Sequence, residues 1–491
     1  MQVWLYWWTG YLITAGRLED PLPLYSKPLS IAAEGMILVG AIGTIWQSQA
    51  GTPAQVSGRR LRGHAMRETC SVVLIQTPCY ELEDDRLEPP LGLLYLATWL
   101  DSRGYRAQIV DLSSMLPGQW PDVIPPADIY GFSTYTTTYH RTLNVMQIVK
   151  QINPRAWRVA GGPHASALPE SVARDFDFVV LGEGEEAILR LVRAWEHGET
   201  LPRVLSETPI SNLDWLPFPD YSLVDVASYH RTVGGRLSLS ILSSRGCSYR
   251  CAFCNSIIMG SRRRVRFRSA VNVVEEIRLL KATRGITSFR FQDDIFTLNL
   301  SRLREMMTSL SDLDITFRCF GRVDQCDSQV AGLLYEGGCR HIAFGVESGS
   351  PAILDRMRKG QTVDDIREGI ANARASGLMV RVYLMVGFPG ETWGTVQDTV
   401  DLVLECAPDE FSVYPLIPYP GTALYQRPES FGITAINPDF SQYFQVRRER
   451  GTGYVFRTHD LDEETIAHMR AYVIQQLEPA LVWAGDSKGY R

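Results

Sequence analysis

The chain has 491 residues, more than one hydrophobic core usually serves, so we expect two main domains with small extensions. Its charged fraction of 21% is ordinary for a globular protein, and its net charge of −6 argues against a nucleic-acid binder. The nine cysteines are odd in number and unevenly spaced, which argues against a secreted disulfide framework and favours a reducing, cytoplasmic location.

The first 69 residues differ in composition from the rest of the chain. Met1–Gly16 is rich in Trp and Tyr, and Ile31–Trp46 is apolar but contains Glu34. This apolar segment is shorter than the roughly 20 residues that span a bilayer, and no basic leader with a small-residue cleavage site is present. We predict a poorly structured extension over 1–69, with Met66 as an alternative start and no stable membrane insertion. A weak membrane-surface anchor is the alternative.

Residues 70–203 alternate between short apolar segments and segments of helical periodicity. Strands are predicted at 72–76, 107–112, 128–132, 157–160 and 178–181, and helices at 91–102, 142–152 and 186–196. This alternation predicts a parallel, doubly wound, Rossmann-like sheet. Such sheets bind ligands at the carboxyl ends of their strands, and the segments rich in glycine or hydroxyl side chains all follow predicted strands.

A stretch with several prolines and no clear periodicity, 204–237, is predicted as a linker to a second alternating series. Its strands are predicted at 239–243, 288–292, 316–320, 341–346, 380–386 and 410–414, and its helices at 271–283, 300–310, 327–336, 363–376 and 395–406. Six strand–helix units predict a partial (β/α)6 barrel over 238–422, followed by a C-terminal extension over 423–491. Barrel enzymes place their chemistry just after the strands.

Three cysteines, Cys247, Cys251 and Cys254, directly follow the first predicted barrel strand. Their spacing lets one short loop place its thiolates around a single iron–sulfur cluster and leave one iron open. An open iron can be chelated by the amine and carboxylate of a bound molecule. A structural zinc site is the alternative, but it would want a fourth ligand, and the remaining cysteines lie at other strand and helix positions.

The pattern Cys-x3-Cys-x-Phe-Cys after the first strand of a partial barrel resembles the radical SAM superfamily. The resemblance implies a [4Fe–4S] cluster on the three cysteines, S-adenosylmethionine on its open iron, and cleavage to a 5′-deoxyadenosyl radical by one electron. An electron donor such as flavodoxin or ferredoxin is then expected. Segments after the later strands also resemble the superfamily, which assigns to S-adenosylmethionine the residues Phe253, Asp293, Asp294, Arg322, Glu347, Ser348, Gly387 and Leu416.

The N-terminal half resembles the cobalamin-binding domain that precedes the barrel in one large branch of this superfamily. The contacts implied by the resemblance are Leu91, Gly92, Ser133, Thr134, Tyr135, Gly161, Gly162, His164, Gly182, Glu183 and Gly184. The histidine motif Asp-x-His-x-x-Gly is absent, as is common in this branch, so we expect cobalt without a histidine lower ligand. The loop Thr77–Tyr80 is a candidate for that face. A domain that binds no cofactor is the alternative.

With both cofactors, the resemblance implies methyl transfer from methylcobalamin to an unactivated carbon, or a phosphinate phosphorus, of a small natural-product substrate. The alternative is a cyclase or oxidative rearrangement enzyme of the same architecture in which cobalamin does not donate methyl. A non-catalytic iron–sulfur sensor would have no need for the S-adenosylmethionine segments. Substrate is expected between the domains, where the candidate contacts are Tyr443, Phe444, Arg447 and Arg448, with a solvated surface as their other interpretation.

Overall fold

The computed structural model describes residues 70–82, 84–256, 264–444 and 455–483. The predictions for 1–69, including Met66 and the apolar segment Ile31–Trp46, lie outside the described residues, as do Arg447 and Arg448. Within the described ranges, no helix is both long enough and apolar enough to cross a membrane.

The N-terminal half contains a parallel sheet with helices between its strands. In chain order its elements are β1 (Val72–Gln76), α1 (Leu91–Asp101), β2 (Ala107–Asp111), α2 (Trp120–Val123), β3 (Ile129–Ser133), α3 (Tyr139–Ile152), β4 (Trp157–Gly161), α4 (Pro163–Ala167), α5 (Pro169–Val172), β5 (Phe178–Val180), α6 (Glu185–His197) and β6 (Val204–Leu205). The strand order is β2-β1-β3-β4-β5-β6, and all neighbouring pairs are parallel. The predicted doubly wound fold is confirmed.

The first strand shows why this sheet is covered on both faces. Successive residues of a strand point to opposite faces of a sheet. Val73 and Ile75 belong to one apolar cluster, whereas Val72 and Leu74 belong to another. A run of five consecutive buried or half-buried residues, four of them apolar, therefore specifies a central strand with helices packed on both sides.

The stretch 204–237, predicted as a linker, is ordered. Its first residues form β6, which pairs with β5 at the edge of the N-terminal sheet. Three one-turn helices follow, each begun by a side chain, of Asn212, Asp220 or Asp225, that accepts a hydrogen bond from the backbone two residues later. A two-residue strand has no periodicity of its own, so only pairing with its neighbour reveals it.

The second half contains the curled sheet of the partial barrel. In chain order its elements are β7 (Thr232–Val233), β8 (Arg236–Ile241), β9 (Ser244–Arg245), β10 (Arg266–Phe267), α7 (Ala270–Arg284), β11 (Ser288–Phe291), α8 (Leu300–Leu310), β12 (Thr316–Gly321), α9 (Ser328–Glu336), β13 (Cys339–Glu347), α10 (Pro351–Arg356), α11 (Val363–Ala375), β14 (Met379–Val386), α12 (Trp393–Cys406) and β15 (Glu410–Pro415). The parallel strands β8, β11, β12, β13, β14 and β15 are neighbours in that order. The predicted partial (β/α)6 barrel is confirmed.

The C-terminal extension completes the edge of this sheet. Its elements are α13 (Ala423–Gln426), β16 (Ile433–Ile436), β17 (Phe456–Thr458), α14 (Glu463–Leu477) and β18 (Val482–Trp483). The short strand β18 pairs in parallel with β15, and β7 pairs antiparallel with β8 at the opposite edge, so the sheet has eight strands. Helix α14 packs on α12 and β15, where Arg470 Nε donates to the carbonyl of Val413 over 3.0 Å.

A buried carboxylate of the N-terminal half, Glu88, joins the two halves just before α1. Its Oε2 accepts hydrogen bonds from Ser240 Oγ at 2.7 Å and Gln292 Nε2 at 2.8 Å. Its Oε1 faces Arg231 Nε at 3.3 Å and also contacts the guanidinium of Arg290. The Glu88 side chain is only 4% exposed, so its charge is matched by arginines of the barrel rather than by water.

Replacing this carboxylate should destabilise the fold. We expect Glu88→Gln to lower the free energy of unfolding by about 3–5 kcal/mol, because two buried guanidiniums lose the same counter-charge. Urea unfolding followed by circular dichroism measures the loss. The matched control is Glu207→Gln, whose partner Arg190 is 48% exposed, and a change below about 1 kcal/mol is expected there. Equal effects of the two substitutions would contradict this role of Glu88.

Candidate functional site

The three cysteines predicted to bind a cluster lie on the loop that follows β9, and all are half-buried. The loop is fastened by backbone contacts to distant segments. Ala252 N donates to the carbonyl of Met357 over 2.8 Å, and Ala252 O accepts from Leu424 N over 3.3 Å. The cysteine loop is thus held in place by the barrel and by the first turn of the C-terminal extension.

The three thiols have the chemistry of cluster ligands. No three His, Cys, Asp or Glu side chains in the described part of the chain converge as ligands of one metal ion. A cubane takes each thiolate on a different iron, so its ligands need not converge on one point. Burial, reinforced by Asp294, raises the pKa of Cys247 to about 12, and burial beside Cys251 raises that of Cys254 to about 11. Metal binding must therefore displace protons from these two thiols.

The paired aspartates after β11 have different surroundings. Asp293 is buried and accepts hydrogen bonds from Ser243 N at 2.8 Å, Ser243 Oγ at 2.5 Å and Ser244 Oγ at 2.6 Å. It therefore fastens the end of β8, which leads into the cysteine loop. Asp294 lines the large cavity described below. Direct contact of either residue with S-adenosylmethionine stays a prediction.

Arg322, predicted as a carboxylate clamp, is already engaged within the chain. Its Nε and Nη2 donate to the two carboxylate oxygens of Asp324 at 2.8 and 3.2 Å. Its guanidinium carbon also lies 3.6 Å from the ring centroid of Tyr249 in the cysteine loop. Arg322 thus connects the end of β12 to the cysteine loop, and its role toward a ligand stays a prediction.

One carboxylate oxygen of Glu347 is suited to accept a hydrogen bond from a ligand. It has a positive φ of 68°, which an L residue adopts only where its surroundings hold it. One carboxylate oxygen accepts from Lys359 Nζ at 3.0 Å, and Lys359 Nζ lies 5.7 Å from the ring centroid of Phe253. The other oxygen, Oε2, is buried with no hydrogen-bond partner among the described residues. A buried acceptor without a partner is costly, so this atom suits the amine or hydroxyl of a bound molecule.

The remaining residues predicted to contact S-adenosylmethionine lie at the ends of the next strands. Ser348 Oγ is 3.3 Å from Thr399 Oγ1 after β13, and Leu416 N donates to the carbonyl of Val386 over 2.8 Å. Gly387 has a φ of +86°, and a Cβ there would lie 2.9 Å from Ile466 side-chain carbons of α14. Glycine is therefore required at this turn. Their ligand contacts stay predictions.

A cavity of about 1090 Å³, open solvent included, lies between the carboxyl ends of the N-terminal strands and the cysteine loop. The barrel residues in its wall are Arg245, Gly246, Ser256 and Asp294. Seven of the residues predicted to contact cobalamin line it, namely Gly92, Ser133, Gly161, Gly162, Gly182, Glu183 and Gly184.

The glycines keep this cavity open. A Cβ at Gly131, on the central strand β3, would lie 2.8 Å from Leu74 Cδ2, and one at Gly184 would lie 3.1 Å from Leu96 Cδ2. Gly162 has a φ of +95°, and a Cβ there would approach the Thr134 carbonyl to 3.0 Å. The wall is otherwise largely apolar, with few polar side chains at its rim. Such a glycine-lined wall lets the backbone approach a large ligand closely.

Four residues predicted to contact cobalamin lie outside that wall. Leu91 and Tyr135 line a second cavity together with Thr77 and Cys79, both from the loop predicted to lie below cobalt. Thr134 Oγ1 donates to the Gly161 carbonyl over 2.7 Å. These four residues stay predicted contacts, because none of these placements tests a contact with the corrin.

His164, the last of the four, is buried in an aromatic environment. Its Nδ1 lies 3.1 Å from Thr136 Oγ1, and its ring centroid lies 4.3 Å from that of Tyr139 and 5.1 Å from that of Phe440. Burial lowers the pKa of His164 to about 4, so the ring is neutral at physiological pH. Phe440 belongs to the C-terminal extension, which therefore covers part of the N-terminal half.

Two candidate substrate residues of the extension, Tyr443 and Phe444, are not on a solvated surface. Tyr443 is fully buried, and its hydroxyl donates to the Asn437 carbonyl over 2.8 Å, while its own carbonyl accepts from Tyr419 Oη at 3.1 Å. Phe444 is 9% exposed. The surface interpretation is therefore wrong for both, and Tyr443 belongs to an apolar cluster with Tyr419 and Ile417.

Several site residues escaped the sequence analysis. Glu88, Lys359 and the cavity-lining Ser256 carry no motif of their own and reach the site only through the tertiary fold. A signal was present for Ser256, which lies two residues after the last cysteine and whose Oγ is 3.3 Å from Cys254 Sγ.

Two family models match the two halves of the chain. Residues 241–403 match the radical SAM superfamily, and residues 85–192 match the B12 binding domain. An uncharacterised methyltransferase of Pyrococcus horikoshii is 31% identical over 366 residues, which cover 69% of this chain and 78% of that protein. The chain belongs to the radical SAM superfamily. It is an enzyme of the branch that carries a B12 binding domain before the barrel.

Two further comparisons show the breadth of this radical SAM branch. An anaerobic magnesium-protoporphyrin IX monomethyl ester cyclase of Rubrivivax gelatinosus is 26% identical over 370 residues, 69% of this chain and 66% of that protein. The solved structure of the radical S-adenosylmethionine methyltransferase TsrM from Kitasatospora setae, with cobalamin and a [4Fe–4S] cluster bound, has a TM-score of 0.59. That match is 20% identical and covers 76% of this chain and 80% of the TsrM chain, so it shows a shared fold.

The turn after β14 should make stability depend on pH. Glu391 is buried there, and one of its oxygens accepts from Gly387 N at 2.5 Å. Burial raises the pKa of Glu391 to about 8. Because the folded protein keeps a proton that the unfolded chain releases, the stabilisation is complete below the ordinary carboxyl pKa and is lost as pH rises toward about 8.

As pH rises from about 5 to 8, the free energy of unfolding of the wild type should therefore fall, relative to that of Glu391→Gln, by up to about 1.4 kcal/mol per pH unit. Urea unfolding of both proteins across this range measures the difference. A difference that stays constant would show that Glu391 is ionised in the folded protein.

Proposed function

We propose that this radical SAM enzyme is a cobalamin-dependent methyltransferase that acts on an unactivated carbon, or a phosphinate phosphorus, of a small natural product. The observation that carries the proposal is one cavity whose wall combines the glycine-rich strand ends of the B12 binding domain with the cysteine loop of the barrel. When bound, a [4Fe–4S] cluster supplies the electron that cleaves S-adenosylmethionine to an adenosyl radical, and cobalamin supplies the methyl group.

The cysteine loop supports the first half of this proposal. Cys247, Cys251 and Cys254 would hold three irons of the cluster and leave the fourth for S-adenosylmethionine. Their thiols lie in a loop whose ends are fixed by β9 and β10, which pair with each other. An electron must reach the cluster from outside, so a flavodoxin or ferredoxin is the expected donor.

The strand ends of the barrel support binding of S-adenosylmethionine. Glu347 would accept its amine on the oxygen that has no partner among the described residues, while Lys359 fixes the other oxygen of the same carboxylate. Phe253, next to Lys359, lies within the cysteine loop. The ligand would thus be oriented by a group whose rotamer is already fixed, which reduces the entropy lost on binding.

The cavity supports binding of cobalamin by the N-terminal half. Its glycines let the backbone approach a large ligand closely, and Ser133 at the end of β3 provides a hydroxyl to a polar edge. The remaining wall is largely apolar and excludes water from the enclosed part of the ligand. Substrate would then lie between the corrin and the barrel, at the level of Asp294 and Gly246.

Methyl transfer is favoured over ring formation by the relatives. The Pyrococcus horikoshii protein and TsrM are both methyltransferases by name. The cyclase of Rubrivivax gelatinosus supports a second candidate, in which the same architecture forms a ring or rearranges its substrate and cobalamin does not donate methyl. The two candidates differ in their products from S-adenosylmethionine.

The cluster assignment predicts a selective loss in one cysteine variant. We expect wild-type protein reconstituted without oxygen to hold about four irons per chain and to release 5′-deoxyadenosine on reduction. Cys251→Ala should lose both, since one iron then lacks its thiolate. Cys406→Ala, which changes a half-buried cysteine outside the site, should keep both. Retention of cluster and deoxyadenosine by Cys251→Ala would refute the assignment.

The same assay distinguishes methyl transfer from the cyclase candidate. A methyltransferase with bound cobalamin should form S-adenosylhomocysteine as well as 5′-deoxyadenosine from S-adenosylmethionine. If cobalamin-loaded wild type forms deoxyadenosine but never S-adenosylhomocysteine, the methyl-transfer part of the proposal fails and the cyclase candidate replaces it.

Filling the cavity should weaken cobalamin binding without unfolding the protein. Gly161 lines the cavity, and a Cβ there would meet Val180 Cβ only at 3.8 Å, an ordinary contact. We expect Gly161→Val to raise the dissociation constant for hydroxocobalamin at least tenfold, about 1.4 kcal/mol, because its methyl groups occupy ligand space. Gly118→Val is the control, since a Cβ at Gly118 meets nothing within 4 Å. Binding is measured by anaerobic absorbance titration, and equal affinities in both variants would place cobalamin elsewhere.

A further inference from the structure

Two carboxylates of the B12 binding domain form ion pairs with barrel arginines beside the cysteine loop. Arg245 Nη1 donates to Glu183 Oε2 over 2.9 Å, and Arg245 Nη2 donates to Glu185 Oε1 over 2.7 Å. Arg266 donates to both oxygens of Glu183, at 3.1 Å to Oε2. All four side chains are at most 11% exposed, so these charges are matched by one another rather than by water.

On the barrel side, the two arginines flank the cysteine loop. Arg245 is the last residue of β9, two residues before Cys247, and Arg266 is the first residue of β10, which follows the loop. The two residues face each other in the antiparallel β9–β10 pair. Two like charges directly opposite on paired strands destabilise the pairing. Glu183 lies between them and cancels that repulsion, so the strand pair at the base of the loop depends on a residue from the other half.

On the other side, the carboxylates belong to the rim of the glycine-rich cavity. Gly182, Glu183, Gly184 and Glu185 all line it, and so does Arg245 itself. Gly182 N donates to Ser166 Oγ over 2.9 Å, which connects this rim to α4. Helix α6 begins at Glu185. A molecule that fills the cavity therefore lies against the backbone that carries Glu183, whose carboxylate closes the base of the cysteine loop.

We propose that Glu183 and Arg245 couple the two cofactor sites, so that a ligand in the glycine-rich cavity and the cluster on the cysteine loop each strengthen the binding of the other. Glu183 is then a positioning residue rather than a cobalamin contact, because both of its oxygens are used by arginines of the barrel. The proposal rests on the proposed function in requiring that both cofactors bind. Linkage makes the effect reciprocal, with the same factor for either cofactor.

The coupling is measured as a ratio of two dissociation constants for hydroxocobalamin, with and without the cluster. The cluster-free form is a triple variant in which all three cluster cysteines are alanine. We expect cobalamin to bind cluster-loaded protein about 5- to 150-fold more tightly, the usual range for coupled sites. The same titrations are then repeated in the Glu183→Gln background and in the control Glu207→Gln, which changes a partly exposed ion pair that does not line the cavity.

In Glu183→Gln the ratio should fall toward one, whereas Glu207→Gln should keep the wild-type ratio. Circular dichroism checks that each variant folds, and Glu185→Gln, which loses only the bond to Arg245, replaces Glu183→Gln if the latter does not fold. Hydrogen exchange of the cysteine loop provides a second measurement, since cobalamin should slow it in wild type and not in Glu183→Gln.

Two results would overturn the coupling while leaving the proposed function intact. One is a wild-type ratio near one although both cofactors bind. The other is a wild-type ratio preserved in both Glu183→Gln and Glu185→Gln. If wild-type protein binds no cobalamin or no cluster, the proposed function fails and the coupling fails with it.

Discussion

The relative position of the two halves depends on carboxylates of one half that are buried among arginines of the other. Glu88 is inserted beside Arg290, and Glu183 and Glu185 are held by Arg245. A buried guanidinium without a carboxylate is strongly disfavoured, and a buried carboxylate without a cation is equally so. Each half therefore leaves charges that only the other half satisfies. These ion pairs hold the two sheets so that the carboxyl ends of their strands face the shared cavity.

The interior of the barrel explains why Glu88 is needed. The register of neighbouring strands places Ser240, Arg290, Arg318 and His341 in one row, and it pairs Arg381 with Glu410 on the next two strands. Within this region Arg381 Nε donates to Glu410 over 2.7 Å, and the pKa of His341 is lowered to about 3 by burial and the nearby arginines. The row is cationic, unlike the branched apolar layers of closed barrels. Glu88, from outside the barrel, adds a carboxylate to it.

The elements that the sequence predicted best are those whose signal is local. Strand β1 and helix α8 have the bounds predicted for them, because a β-branched run and an Asn299 cap define them within a few residues. Helix α3 begins at Tyr139 rather than at 142, and β13 runs from Cys339 to Glu347 rather than over 341–346. These extensions are stabilised by neighbours that periodicity does not show.

The site residues differ in the same way: some lie in short motifs, and others reach the site only through the tertiary fold. The cysteine loop and the glycine-rich strand ends were found because spacing and residue type carry their chemistry within short segments. Glu88 was not found, since its partner Gln292 lies 204 residues away in the chain. Glu183 is predicted as a cobalamin contact, and within the chain it forms ion pairs with the barrel. A motif marks such a segment, whereas the ion pairs that its side chains form are visible only in the tertiary structure.

Two buried hydrogen-bond acceptors lie near the cysteine loop. Glu347 Oε2 and Asn255 Oδ1 are both buried with no hydrogen-bond partner among the described residues. Asn255 directly follows Cys254, and Glu347 is linked to the same loop through Lys359 and Phe253. Folded proteins satisfy nearly all buried acceptors, so two open ones beside a single loop indicate a place where a ligand or water completes the network. Asp293 shows the contrast, because three hydrogen bonds from Ser243 and Ser244, just after β8, already satisfy it. The segment that carries the cysteines is therefore fastened by hydrogen bonds at its start and bordered by acceptors that a ligand can satisfy, which is the combination that a site for a reactive ligand requires.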